Sequence, residues 1–213
     1  RTLLEDTSLK PSSPAFPGLV MILATQGSVE DLDWLVAKAH GDLQNSTPIL
    51  SAMQESASIR ELKPRNPNLN SLLTSAVTNG TAAQRIQALH LIGYWQLLDL
   101  SKLVITTIFN TRTSPEVRIA ALKSTSHFPK IAEDRIDELS KLSALSGDIQ
   151  IRHAALDALT AMNAGRAAQI ATEALIAAGP SDPLQPYLIP FLTRSDGALA
   201  LSSSLQKTEL SLS

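Results

Sequence analysis

The chain has no cysteine among its 213 residues. This absence excludes a disulfide framework, thiolate metal sites and thiol chemistry. A strong charge imbalance is also missing, because 18 Lys and Arg residues face 20 Asp and Glu residues. The sequence therefore lacks the basic excess that neutralising many phosphates requires, and we do not expect nucleic acid as a partner.

Long apolar runs are missing as well. The longest, such as Gly18 to Thr25, fall far short of the ~20 residues that a membrane-spanning helix needs. The N-terminal stretch has neither the basic start nor the apolar core of a signal peptide, and the chain begins at Arg1 without a Met. We expect a soluble segment of a longer protein, whose compartment, oligomeric state and activity the sequence leaves open.

Aromatic residues make up only 4% of the chain, although hydrophobic residues make up 44%. A core this poor in aromatic side chains is built largely from Ala, Leu and Ile. Such a composition favours closely packed helices over sheets, which are rich in Val, Tyr and Phe. We therefore predict an all-α fold.

Helix-start signals recur along the chain at a nearly constant spacing. At Ser114 a capping residue is followed by a Pro that the first helical turn tolerates and by an acidic side chain that complements the helix dipole. Comparable starts, 33 or 34 residues apart, lie at Ser13, Thr47, Thr81, Asp148 and Asp182. This period predicts an N-terminal extension (1–12) and one domain of six helical pairs, at about 13–46, 47–80, 81–113, 114–147, 148–181 and 182–213.

The interior of the repeat agrees with its starts. Arg85, Arg118 and Arg152 are each followed by Ala-Leu at the third and fourth positions. We expect these arginines to pair with an acidic or carbonyl group of the next unit, in preference to binding an anionic ligand. The apolar residues of each pair recur at helical spacing and form stripes that stacking on neighbouring pairs would bury.

Several local signals bear on single helices. The β-branched stretch from Leu103 to Phe109 is compatible with a strand, but its position in the repeat favours a helix. Pro17 is expected to disrupt the first helix, Pro190 to kink or shorten a later one, and Gly165 to separate the two helices of the fifth pair.

The segment from Ser114 to Ser124, with its Pro-Glu-Val-Arg and Ala-Ala-Leu, resembles HEAT repeats. The resemblance covers about Thr81 to Gly179 well and the flanking pairs by spacing alone. Armadillo and tetratricopeptide repeats fit less well, because of their three helices and their Trp and Tyr pattern respectively. The HEAT resemblance implies a right-handed α-α superhelix, or solenoid, whose second helices line a concave face that holds another protein.

Polar side chains of the predicted second helices give the candidate binding residues. Their mixed charges favour a protein partner, or an adjacent domain of the same chain, over a polyanion. The predicted set is Lys102, Thr106, Arg135, Glu138, Lys141, Arg166, Gln169 and Glu173. We therefore expect a non-catalytic interaction scaffold or spacer module.

No catalytic, cofactor-binding or metal-binding set is predicted. None of the four histidines is followed by Glu, as the di-iron centres of some HEAT-like proteins require, and none has a second His four residues away; they are His40, His90, His127 and His153. Gly-x-Ser-x-Gly and the phosphate-binding glycine patterns are also absent. Trp34 and Trp95 are expected in core or groove packing, in preference to an interface.

The alternative is the helical module of an enzyme or cofactor-handling protein, similar to HEAT-like DNA glycosylases, chromophore lyases or multidomain exported oxidoreductases. A glycosylase needs a basic concave groove with a Trp and a carboxylate facing it. The oxidoreductase needs a haem motif such as Cys-x-x-Cys-His, which this sequence lacks.

Overall fold

A computed structural model describes residues 13–127, 135–145, 147–180 and 182–208. All regular secondary structure in these residues is helical, as the composition predicts. The predicted N-terminal extension (1–12) lies outside the described residues. None of the described helices is long and apolar enough to cross a membrane.

Contacts between helices divide the chain into two compact units, Arg1–Leu103 and Val104–Ser213. This division does not test whether residues 13–213 form the single repeat domain that the sequence predicts. The helices of the first unit are α1 (Phe16–Gln26), α2 (Val29–Gly41), α3 (Thr47–Ile59), α4 (Leu69–Asn79), α5 (Ala82–Tyr94) and a short 3-10 helix (Leu98–Leu100). The division falls within α6 (Ser101–Phe109), and the second unit continues with α7 (Pro115–Thr125), α8 (Ile136–Leu145), α9 (Ile149–Met162), α10 (Ala164–Ala177), α11 (Gln185–Leu192) and α12 (Gly197–Lys207).

Helices within each unit pack on the helix two places along the chain. In the first unit α3 lies between α1 and α5, while α2 packs on α4. In the second unit α9 lies between α7 and α11, and α10 lies between α8 and α12. First helices therefore contact first helices, and second helices contact second helices. This arrangement buries the apolar stripes that the sequence predicts, including Leu89, Leu122 and Leu156.

Capping explains why the predicted helix starts are accurate in the middle of the chain. Thr81 precedes α5 in a capping box, in which its hydroxyl accepts from the Gln84 N–H while the Gln84 amide oxygen accepts from the Thr81 N–H. Asp148 caps α9 by accepting from the backbone N–H groups of residues 150 and 151. Ser114 occupies the cap position of α7 in extended conformation, although its side chain makes no capping hydrogen bond.

Proline and glycine were less reliable guides. Pro17 does not disrupt α1, because it lies in the first turn, where no backbone N–H is needed. The fifth pair separates at Asn163, not at Gly165; the Asn163 side chain accepts from the Arg166 N–H at 2.9 Å and so caps α10. Pro190 lies inside α11, which is only 8 residues long, as expected of a shortened helix.

Hydrogen bonds between pairs join residues that are about one repeat apart. The Arg60 guanidinium donates to the carbonyl oxygens of Ala24 at 2.8 Å and Gly27 at 2.7 Å, where α1 ends. The buried Ser56 hydroxyl also donates to Ala24 O, at 2.6 Å. Arginine at a helix C-terminus both satisfies the last carbonyls and complements the negative end of the dipole. Arg60 therefore fastens the end of α3 to the end of α1.

The loop after α3 is fixed in the same way. One carboxylate oxygen of Asp33 accepts from the backbone N–H groups of Arg65 and Asn66, both at 2.6 Å. Trp95 is 7% exposed, and its indole N–H donates to Leu62 O at 3.1 Å. The prediction that Trp95 packs structurally is thus confirmed.

Candidate functional site

All the side chains predicted to face a partner are exposed. They come from α6, from the turn before α8, and from α8 and α10 themselves, as the predicted positions on second helices require. The exposed residues are Lys102, Thr106, Arg135, Glu138, Lys141, Arg166, Gln169 and Glu173. Exposure is what a partner-binding role needs, but it does not test that role.

A first groove, of about 550 Å³, lies between α6 and α8. Thr106 on one side shares it with Arg135 and Glu138 on the other. Ile105 and Phe109 supply apolar surface to the same groove, and Phe109 is half-buried. The structure thus brings together three predicted residues that lie about 30 positions apart in sequence.

A second groove, of about 290 Å³, lies between α8 and α10. Lys141 from α8 shares it with Arg166 and Glu173 from α10, and Asp137 and Ser140 add further polar atoms. Because α8 contributes to both grooves, the two are neighbours within the Val104–Ser213 unit. We call the residues of these two grooves the second-helix surface.

Some polar groups of this surface are held by one another. The Arg135 guanidinium donates to both carboxylate oxygens of Glu138, at 2.8 and 3.0 Å, and both side chains remain nearly half exposed. Arg166 donates to the side-chain oxygen of Gln169 at 3.1 Å. Exposed pairs of this kind contribute only about 0–1 kcal/mol to stability. Their main effect is to orient charges at the surface.

Lys102 and Gln169 are not lining residues of either groove. Lys102 belongs to the Arg1–Leu103 unit. Gln169 contacts Arg166 but does not belong to the lining of either groove. Of the predicted set, six residues therefore line the second-helix surface.

Sequence reasoning missed the apolar and acidic members of this surface. The predicted set was drawn from the polar side chains of the second helices and contained neither the apolar Ile105 and Phe109 nor the acidic Asp137. A helical signal for Asp137 and Ser140 did exist, since both lie within one turn of Lys141. Which helix faces which, and hence which residues share a groove, is tertiary information.

The repeated arginines differ from expectation in their partner. Arg118 Nε donates to the carbonyl oxygen of Ile108 at 2.8 Å. The partner is a carbonyl group, as predicted, but it belongs to the preceding helix α6 and not to the next unit. The reason is direction: side chains on a helix point back towards its N-terminus, so Arg118 reaches the helix before it. Arg85 also interacts with another residue.

Among the histidines and tryptophans, His153 and Trp34 are both partly buried. Burial, and to a lesser degree the charge of Arg152, lowers the pKa of His153. Trp34 is half-buried, with Lys38 Nζ 5.4 Å from its ring centroid. In the parts of the chain that the structure describes, no group of three or more His, Asp or Glu side chains is placed to hold a metal ion.

The second-helix surface thus combines exposed side chains of both charges with apolar walls in two neighbouring grooves. Comparisons with protein-family models, with curated proteins and with solved structures find no match for this chain. A function for this surface therefore has to be argued from the chain's own residues.

Proposed function

We propose that the chain is a HEAT-like solenoid segment that acts as a non-catalytic scaffold. Its partner is a protein, or an adjacent domain of the same longer chain, which binds the second-helix surface of the Val104–Ser213 unit. The proposal concerns binding alone and assigns no catalytic group.

The packing within each unit supports the solenoid part of the proposal. First helices contact first helices and second helices contact second helices. The hydrogen bonds that join Arg60 to Gly27 and Trp95 to Leu62 each span 33 residues, which is the repeat length found in the sequence. In repeat proteins each unit buries its apolar faces against its neighbours, and contacts at one repeat length are the result.

The single observation that carries the binding role is the sharing of grooves by predicted residues. Thr106 shares one groove with Arg135 and Glu138, and Lys141 shares the next with Arg166 and Glu173. Three cations and three carboxylates line this surface, so its net charge is close to zero. Such a mixture suits a partner that also carries charges of both signs, because complementary patterns give specificity and suppress wrong partners.

The apolar walls favour a protein over a small polar ligand. Ile105 and Phe109 lie beside the charged groups of the first groove. Protein interfaces combine apolar contact with a polar rim, and aromatic residues are enriched at their centres. Phe109 is the aromatic side chain of this surface.

Site-specific photo-crosslinking tests the proposal. A photoreactive amino acid replaces Lys141 in one variant and Lys123, which is exposed on the first helix α7, in the control variant. Both are irradiated in extract from cells that produce the chain, and adducts are identified by mass spectrometry. We expect a defined protein adduct at position 141 and none at position 123.

A charge reversal then shows whether the adduct depends on this surface. Glu138→Lys places a cation where the partner meets a carboxylate, and we expect adduct yield to fall about tenfold or more. Glu55→Lys changes an equally exposed carboxylate on first helix α3 and should leave the yield unchanged. Equal adducts at both crosslinker positions, or an adduct that survives Glu138→Lys with the helical circular dichroism intact, would refute the proposed surface.

A further inference from the structure

Two of the repeated arginines, Arg118 and Arg152, differ in their hydrogen bonding. Arg118 Nε donates a hydrogen bond to a carbonyl group of the preceding helix. The Arg152 side chain, one repeat later, makes no hydrogen bond or ion pair with any residue in 13–127, 135–145, 147–180 or 182–208, and its Nε is shielded from solvent. A buried donor on a charged group is unfavourable without a partner. The two terminal nitrogens of Arg152 also lack a hydrogen bond but are not shielded, so they are the groups that can donate to a ligand.

Arg152 lines a cavity of about 240 Å³ formed by α9, α10 and the segment that leads into α11. Asp182 lines the same cavity. One of its carboxylate oxygens accepts from the Gly179 N–H at 2.7 Å, which orients the carboxylate group. Arg152 and Asp182 do not form an ion pair with each other, so one cavity presents a cation and an anion that are both open to a ligand.

The remaining walls are apolar and small. Ile149 and three alanines of the α10 C-terminal region contribute them, together with Pro183 and the Tyr187 ring. Tyr187 is held by an edge-on contact with His153, at 5.1 Å between ring centroids and 89° between ring planes. Ligand sites for drug-sized molecules span roughly 300–1,000 Å³. This cavity is smaller and accommodates a correspondingly smaller molecule.

We propose that this cavity binds a free α-amino acid with a short aliphatic side chain. The ligand carboxylate accepts from the Arg152 guanidinium, the ammonium donates to Asp182, and the side chain lies against the apolar walls. A simple carboxylate would be repelled by Asp182, and a simple amine by Arg152. A residue inside a peptide has neither an α-ammonium nor an α-carboxylate, and a terminal residue has only one of the two. The pair of charges in the cavity therefore favours a free amino acid. This cavity shares no lining residue with the second-helix surface, so leucine binding and partner binding are tested separately.

Isothermal titration calorimetry of the full chain with L-leucine tests this site. We expect binding at roughly millimolar concentration or below. 4-Methylpentanoate lacks the ammonium group and 3-methylbutylamine lacks the carboxylate. Each should bind more weakly by about tenfold or more, because each loses one charge-assisted contact.

Three variants locate the binding. Arg152→Gln removes the guanidinium and should abolish leucine binding, while Arg112→Gln, at an exposed arginine that lines none of the three cavities, should bind as the unaltered chain does. Ala177→Leu fills the cavity from an exposed position and should also abolish binding, which keeps the test valid if Arg152→Gln fails to fold. The proposal is overturned if the unaltered chain does not bind leucine, if 4-methylpentanoate binds equally well, or if folded Arg152→Gln or Ala177→Leu retains binding.

Discussion

Arg60 gives the sharpest prediction about what holds neighbouring helical pairs together. Its guanidinium donates to Ala24 O at 2.8 Å and to Gly27 O at 2.7 Å, and both acceptors belong to the end of α1. Arg60→Ala removes both bonds. Ala24 O retains the Ser56 hydroxyl as a donor, at 2.6 Å, whereas Gly27 O is left to solvent.

The magnitude follows from the type of bond and its exposure. A hydrogen bond from a charged donor contributes roughly 1.5–3 kcal/mol when its partner is otherwise unsatisfied. Arg60 is half-buried and one acceptor keeps a second donor, so solvent and Ser56 offset part of the loss. We expect Arg60→Ala to lower the free energy of unfolding by about 2 kcal/mol. Arg60→Lys should recover about half, because an ammonium cannot span two carbonyls as the guanidinium fork does.

Tryptophan fluorescence in a urea titration measures the effect in the right part of the molecule. Trp34 and Trp95 are the two tryptophans of the chain, and both lie in the Arg1–Leu103 unit with Arg60. Fluorescence therefore follows that unit even if the other unfolds separately. Arg112→Ala, at an exposed arginine of the second unit, is the control and should shift the transition by no more than about 0.5 kcal/mol. An Arg60→Ala transition that coincides with the control would refute this reasoning.

Two further predictions concern the Val104–Ser213 unit. A Cβ at Gly197 would lie 2.3 Å from the backbone oxygen of Phe191, whereas a Cβ at Gly18 in α1 would meet nothing within 4 Å. Gly197→Ala should therefore cost about 1–3 kcal/mol and Gly18→Ala should add about 0.5–1 kcal/mol, both measured by thermal unfolding; equal shifts would contradict the packing at Gly197. Because burial lowers the pKa of His153, the unfolded chain binds this proton more readily, so stability is complete above the ordinary value of about 6.5 and falls as pH drops below it. Burial lowers the pKa of His127 in the same unit as well, so His153→Gln should make the acid-side fall shallower without removing it. Urea midpoints followed by circular dichroism measure this, and an unchanged slope would contradict the assignment.

The accuracy of sequence reasoning depended on how local each signal was. Thr81 and Asp148 marked helix starts correctly because a capping residue acts on backbone groups within its own first turn. The prediction for Pro17 was wrong because proline breaks the interior of a helix but is favourable in its first turn. Which effect applies depends on where the helix starts, and this helix starts at Phe16. Asn163 was overlooked in favour of Gly165, although a side chain that caps one helix can also end the previous one.

The sequence was sufficient to predict which side chains of each second helix are exposed, but not which helices share a groove. Helical spacing placed Thr106, Glu138 and Glu173 on exposed faces, and all three are exposed. Spacing could not pair α6 with α8, so the contribution of Phe109 to the first groove was missed. The sequence could not predict that Arg118 and Arg152 differ in their hydrogen bonding, because the Arg-x-x-Ala-Leu motif is identical in both.

Hydrogen bonds between pairs have a consequence for folding speed. The Trp95 indole N–H donates to Leu62 O, 33 residues away in sequence, and the Thr172 hydroxyl donates to the Ser204 hydroxyl, 32 residues away. Each of these hydrogen bonds therefore closes a chain loop of about one repeat length. Loop-closure entropy grows with the logarithm of loop length, and folding slows as the mean sequence separation of contacts rises. In the solenoid that we propose, inserting one further helical pair would lengthen the protein without lengthening the loops that close, so folding of the existing pairs should be little slower.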